Sequence, residues 1–241
     1  MTFEELLEVA RERETVVGLY VFGSRGRDFM VDERSDWDVA VVLSDERVRD
    51  EFGREFPFAH GSRVEVIPTT LDALRGLTSE HGRYAGARAD VVLDKTGGEL
   101  TGVVADLESL PDGSRDAVVR DALDGYINQV YRSLRYGTRL DAVESISYAL
   151  RTIFALGGRV RPYNKYLEWE LRHHPLEGWD ADVLLPLLDR VLTGEPEAQR
   201  ELFNLVEPLA RGEGFSDVVD GWEPDVAWLR GDAEYRAGGY A

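Results

Sequence analysis

Apolar residues Phe3, Leu6, Leu7 and Ala10 recur at helical spacing and predict an amphipathic helix within residues 2–13. The period then changes. Residues 15–22 (Thr-Val-Val-Gly-Leu-Tyr-Val-Phe) are rich in β-branched and aromatic side chains and read as a strand, as do Val39 to Leu43, Val64 to Ile67 and Ala89 to Leu93. Short helical patterns around 46–55 and 70–79 separate them, the second capped by Thr69 or Thr70. Alternating strands and short helices make this half a mixed α/β unit.

Leu110-Pro111-Asp112-Gly113-Ser114 interrupts the pattern with turn residues and a helix-capping serine. Beyond it the helical period is almost continuous, with helices expected near 115–136, 139–156, 163–173, 181–193 and 196–211. Residues 216–241 are mixed and carry Trp222 and Trp228. The expected fold class is α+β: a mixed α/β sheet domain over residues 1–112 followed by an all-α helical bundle domain over 113–241.

Composition narrows the chemistry. The 241 residues contain no cysteine, which excludes disulfides and thiolate metal sites and leaves oxygen or imidazole ligands for any metal. Neither a signal-peptide pattern nor a bilayer-length apolar run is found, so a soluble cytoplasmic protein with no membrane partner is expected. With 46 acidic and 28 basic residues the formal net charge is −18. Nucleic-acid affinity depends on neutralising many phosphates, so this field argues against a nucleic-acid partner and suits a small or cationic one. Acidity that only keeps the protein soluble explains the overall charge as well. Only Lys95 and Lys165 are lysines, and nearly every other cation is arginine.

Three short segments carry candidate chemistry. In Val21-Phe22-Gly23-Ser24-Arg25-Gly26-Arg27 a strand runs into a glycine-containing loop. Gly23 lets backbone approach a phosphate, and free N–H groups with the Ser24 hydroxyl can bond phosphate oxygens. Arg25 and Arg27 join Gly23 and Ser24 as candidate nucleotide contacts, although Gly-Ser alone is a common turn. In Ser35-Asp36-Trp37-Asp38-Val39, two aspartates at i and i+2 project to one face as an apolar strand begins. Two adjacent like charges are costly unless a cation neutralises them, and Mg²⁺ takes carboxylate oxygens together with substrate phosphates. A solvated pair at a strand edge is the plain alternative. Glu65 lies alone among Val64, Val66 and Ile67, either on the exposed face of an edge strand or as a third ligand of the same site.

The ordered set Gly23-Ser24, Asp36-x-Asp38 before an apolar strand and Glu65 in a later strand resembles the DNA polymerase beta-like nucleotidyltransferase superfamily. Phe22-Gly-Ser-Arg-Gly-Arg followed by Ser35-Asp36-Trp37-Asp38 is close to its small-molecule and minimal branches. The resemblance covers residues 15–70 directly. It implies that the Gly-Ser loop holds a nucleoside triphosphate, ATP or another, and that the acids hold two Mg²⁺ ions. Asp36 and Asp38 would be shared ligands, with Glu65 on the metal nearer the acceptor. It also implies a helical domain that closes over nucleotide and acceptor, as in antibiotic nucleotidyltransferases.

In the helical half, Gly157-Gly158 ends one helix and Pro162 opens the next, with Arg159, Arg161 and Lys165 around the junction. Positive charge at a helix start makes Lys165 a candidate triphosphate contact, with Tyr163, Asn164 and Tyr166 as neighbours; a basic turn making surface ion pairs is the alternative. Glu144 is a candidate general base for an acceptor hydroxyl, by likeness to a helical-domain glutamate in antibiotic-modifying relatives, although a solvated helix face is commoner. Arg132, Arg135 and Arg139 are expected to answer local acids, His173-His174 to cap a helix, and Trp169, Trp179, Trp222 and Trp228 to pack. The expected activity is Mg²⁺-dependent transfer of a nucleoside monophosphate to a hydroxyl of a small, cationic acceptor such as an aminoglycoside, releasing pyrophosphate. The alternatives are a minimal nucleotidyltransferase of a toxin–antitoxin system acting on protein or tRNA, and a silent nucleotide-binding module.

Overall fold

A computed structural model describes residues 1–235 and divides them into two compact units, the first Met1–Ser109 and the second from Leu110 onward. In the first, the elements in order are α1 (Phe3–Glu12), β1 (Val16–Phe22), α2 (Gly23–Gly26), β2 (Trp37–Leu43), α3 (Glu46–Glu55), β3 (Val64–Thr70), α4 (Leu71–Arg75), α5 (Glu80–Gly86), β4 (Asp90–Asp94) and α6 (Glu99–Asp106). The strands form one sheet in the order β3-β2-β1-β4. β1 runs antiparallel to β2 and β4, and β2 runs parallel to β3.

The sheet is covered on both faces, which explains why β2 reads as a continuous apolar run rather than an alternating one. Val39, Val41 and Leu43 face one core with Leu6 and Ala10 of α1 and Phe52 of α3. Ala40 and Val42 face the other with Leu74 of α4 and Leu100 and Val104 of α6. Gly18 of β1 lies under α6, where an added Cβ would come within 2.2 Å of Leu100 Cδ2.

The helical pattern at 70–79 is realised only as α4, capped by Thr70, whose hydroxyl accepts the Ala73 N–H at 3.1 Å, and ended by Gly76. The sequence reading lacks α5 and α6, which are only seven and eight residues long. Too short to carry a clear apolar period, they are set instead by side-chain bonds at their starts. Ser79 caps α5, and Thr96 Oγ1 accepts the Leu100 N–H of α6 at 2.9 Å. Asp94 adds bonds from the Thr96 and Thr101 N–H groups at 2.8 and 3.1 Å and from the Thr101 hydroxyl at 2.7 Å.

In the second unit come α7 (Arg115–Tyr136), α8 (Arg139–Leu156), a 3-10 turn (Asn164–Tyr166), α9 (Leu167–His173), α10 (Ala181–Leu192), α11 (Pro196–Gly212), α12 (Ser216–Asp220) and α13 (Asp225–Arg230). The α+β class is thus realised as a mixed sheet followed by helices. Gly137, at φ 67°, turns α7 into α8. Gly125 lets them pack closely, because a Cβ there would lie 2.4 Å from the Tyr148 ring. The expected helix at 163–173 divides into the 3-10 turn and α9. Trp222 and Trp228 pack against Tyr131, at 5.9 and 5.7 Å between ring centroids. Of the mixed segment 216–241, residues 236–241 lie outside the described residues. Among the described residues no helix is long and apolar enough to cross a membrane.

The Asp94 carboxyl carries a pH signature. Partial burial acts to raise its pKa, but the Thr96 and Thr101 donors outweigh this and hold it well below the usual carboxylate range. A carboxyl whose folded pKa is depressed adds stability above its unfolded pKa of about 4 and loses it as pH falls toward the folded value. Asp94→Asn is expected to melt below the parent protein at pH 7, with the gap closing as pH drops below about 4. Thermal melts across pH check this, and a gap that stays constant or widens in acid contradicts it.

Candidate metal and nucleotide site

The site forms where β1 ends and β2 and β3 begin. Phe22 pairs with Asp38, and Asp38 lies opposite Glu65 in the parallel β2–β3 register. Asp36 lies one residue before β2 and Asp38 is the strand's second residue; an i, i+2 pair in extended backbone projects to one side, and Glu65 joins it from the neighbouring strand. Oxygens of Asp36, Asp38 and Glu65 lie within 4.8 Å of one another. Asp36 is exposed and Glu65 is 7% exposed. All three donors are hard anionic oxygens, the set suited to Mg²⁺ or a similar divalent cation.

Gly23 is required by geometry. It adopts φ 67°, and a Cβ there would sit 2.0 Å from Asp38 Oδ2. The bare backbone that the sequence offers to a phosphate therefore already makes room for the Asp38 carboxylate. Ser24 follows it in α2, a single turn whose carbonyl accepts the Phe29 N–H at 3.0 Å. Gly26 is held equally closely, with an added Cβ 2.3 Å from the Val21 carbonyl oxygen.

Arg25 and Arg27, expected as nucleotide contacts, both bond backbone carbonyls around the loop. Arg25 donates to the Ser35 carbonyl at 2.8 Å and to the Asp36 carbonyl at 3.0 Å, with its guanidinium 4.5 Å from the centroid of the Trp37 ring. Trp37 points away from the aspartates and stacks on Phe3 of α1, with centroids 4.0 Å apart. Arg25, Trp37 and Phe3 thus fix the backbone that presents the acid pair. Arg27 is buried and donates to Gly23, Tyr84 and Ala87 carbonyls at 3.1, 2.7 and 2.6 Å. Arg25 follows a serine and Arg27 a glycine in the same tight turn, a pattern that fits a phosphate contact and a carbonyl brace alike, so nothing local to the sequence separates the two.

Glu65 has a partner that sequence reasoning missed. Its Oε1 accepts the Gly61 N–H at 2.5 Å and lies 3.3 Å from His60 Nδ1. The signal available was the spacing, because the loop His60-Gly61-Ser62-Arg63 enters β3 only a few residues before Glu65.

Glu144 and Lys165 belong to the second unit. Glu144, exposed on α8, accepts the Gln129 side-chain amide at 3.0 Å. Lys165, in the 3-10 turn, lies 5.1 Å from the centroid of the Tyr166 ring. Arg159 is committed to Glu170 and to the His174 carbonyl. Arg132 pairs with Asp141, Arg139 donates to the Leu192 carbonyl, and His173 Nδ1 lies 2.8 Å from the Trp169 carbonyl oxygen at the end of α9.

A mixed sheet with one aspartate just before β2, a second on it, a carboxylate on the parallel neighbour and a Gly-Ser turn closing on them defines a nucleotidyltransferase-type site. A family model described as a nucleotidyltransferase domain matches residues 3–123, half of the 241-residue chain, and the chain belongs to that family. The match places it in the DNA polymerase beta-like superfamily and makes it a transferase enzyme. No curated protein matches the chain.

The bracing role assigned to Arg27 separates stability from ligand binding. Removing a buried donor from three carbonyls leaves them unsatisfied, so Arg27→Ala is expected to lose about 2–4 kcal/mol in urea unfolding. An Arg27 that served only a phosphate would leave the urea midpoint unchanged and weaken nucleotide binding alone.

Proposed function

We propose that the chain transfers a nucleoside monophosphate, with ATP the expected donor, to a hydroxyl of a small cationic acceptor, with release of pyrophosphate. One observation carries the metal-dependent part of this reading: the approach of three carboxylates within 4.8 Å, Asp38 and Glu65 on two adjacent parallel strands and Asp36 just before the first of them. Asp36, Asp38 and Glu65 would hold the metal. Two divalent ions bound there would supply the positive charge that brings a triphosphate into an acidic protein and steadies the attacking and leaving oxygens of an in-line displacement.

The protein's own part is positioning. Gly23 and Ser24 would bind the triphosphate through backbone N–H groups and the serine hydroxyl. Arg25, Trp37 and Phe3 keep Asp36 and Asp38 in place. Gly61 and His60 keep one Glu65 oxygen engaged, which limits the carboxylate's rotation. In this proposal the first unit is the catalytic domain, and the helical unit, residues 113–241, serves the acceptor and nucleotide. Glu65 or Glu144 is the candidate proton acceptor, and Lys165 the candidate triphosphate contact. The net charge of −18 supports a cationic acceptor, an aminoglycoside among them, over a nucleic acid.

Asp38→Asn keeps the side-chain volume and removes one charge of the cluster. It is expected to reduce pyrophosphate release by a factor of at least about 10³ while leaving the circular dichroism and melting temperature near those of the parent. Mg²⁺, ATP and a panel of aminoglycosides and cell-extract acceptors serve as substrates, with transferred AMP located by mass spectrometry. A fully active Asp38→Asn overturns the mechanism. AMP found on a protein or tRNA would redirect the acceptor assignment and leave the chemistry intact.

A further inference from the structure

A cavity of about 610 Å³ opens within the helical unit, between α8, the turn that carries Asn164, α9 and α10. That volume suits a small organic molecule, for which pockets of ~300–1,000 Å³ are usual. Seven of its thirteen lining residues are apolar, so its walls offer burial to a hydrocarbon or aromatic body. Apolar surface also reaches the mouth, where Val143 and Leu192 are 39% and 41% exposed.

The polar part of the lining has a definite sign. Three carboxylates, Glu144, Glu168 and Asp189, line the cavity against one cation, Arg161, so its lining is net acidic. Arg161 already donates to Asn164 Oδ1 at 2.6 Å. Glu144 is held by the side-chain amide of Gln129, a residue 9% exposed, so its carboxylate is fixed by the helix behind it. Glu168 also meets Arg172 at 3.0 Å, an exposed pair worth little. Asp189 makes no ion pair among the described residues. An anionic ligand would meet this field unfavourably, whereas a polyamine without an apolar body would leave the leucine walls unused.

We propose that the cavity binds an amphiphilic organic cation. Its apolar body would lie against Leu150, Leu167 and Leu188, and its ammonium or amidinium group would lie beside Glu144 and Asp189. This binding needs neither phosphate contacts nor a metal, and it rests on the proposed function only in that Glu144, a candidate proton acceptor there, also lines the cavity.

The test is isothermal titration of the full chain, without nucleotide or metal, using 1-naphthylmethylamine, 1-naphthalenemethanol, 1-naphthoate and spermine. The amine is expected to bind saturably and about tenfold or more tighter than the alcohol, with naphthoate and spermine weaker still. Asp189→Asn, at an exposed helix position, is expected to weaken the amine about threefold and leave the alcohol unchanged. Val143→Lys, which brings a competing ammonium to the mouth, is expected to abolish amine binding while the melting temperature stays near the parent value. Equal affinity for the three naphthyl compounds, absence of saturable amine binding, or an Asp189→Asn that binds the amine as the parent does would each overturn the proposal.

Discussion

Three carboxylates whose oxygens approach within 4.8 Å repel one another. The sheet unit places its acids in this arrangement and surrounds them with parts that prevent them from swinging apart. β2 and β3 hold Asp38 and Glu65 side by side through seven paired residues. Gly23 gives up its Cβ so that Asp38 can sit against the loop, and Arg25 anchors the carbonyls of Ser35 and Asp36. A chain that served only its own stability would gain by separating these charges. Holding them together makes sense when a cation completes the set, and this links the fold to transferase chemistry.

The scaffold around the acids is built from uncharged contacts and spent donors. Trp37, between the aspartates in sequence, turns to the opposite face and stacks flat on Phe3. The N-terminal helix is thereby tied to the strand that bears the site. Arg27 ties the Gly-Ser turn to the carbonyls at the end of α5. Arg25 likewise ties that turn to the backbone just before β2, so both cations of the Gly-Ser segment brace the frame of the acidic set.

Much of the fold was legible from periodicity. The helices at 115–136 and 139–156 have the expected bounds because they are long, have a clear apolar stripe and end at Gly137 and Gly157. α5 and α6 were not legible, because a helix of seven or eight residues held by Ser79, Thr96 and Asp94 is a local hydrogen-bonding event and not a pattern. Within the site, Asp36 and Asp38 were legible from i, i+2 spacing. The roles of Arg25, Arg27 and His60 were not, because a long cationic side chain or a loop imidazole reaches partners set by distant chain segments. Tyr84 and Ala87 lie 57 and 60 residues from Arg27.

Periods of two and 3.6 residues, read locally, were enough for the strands, the longer helices, the α+β class and the pair of aspartates at the head of an apolar strand. The sequence left Glu65 open between an edge-strand surface and a third ligand. Only tertiary structure decided that β3 lies parallel to β2 in a register that sets Glu65 beside Asp38, since register is a relation between strands that no single segment encodes. The same holds for Gly23. Its sequence suggests room for a phosphate, and its folded position shows that the nearest group needing that room is the Asp38 carboxylate.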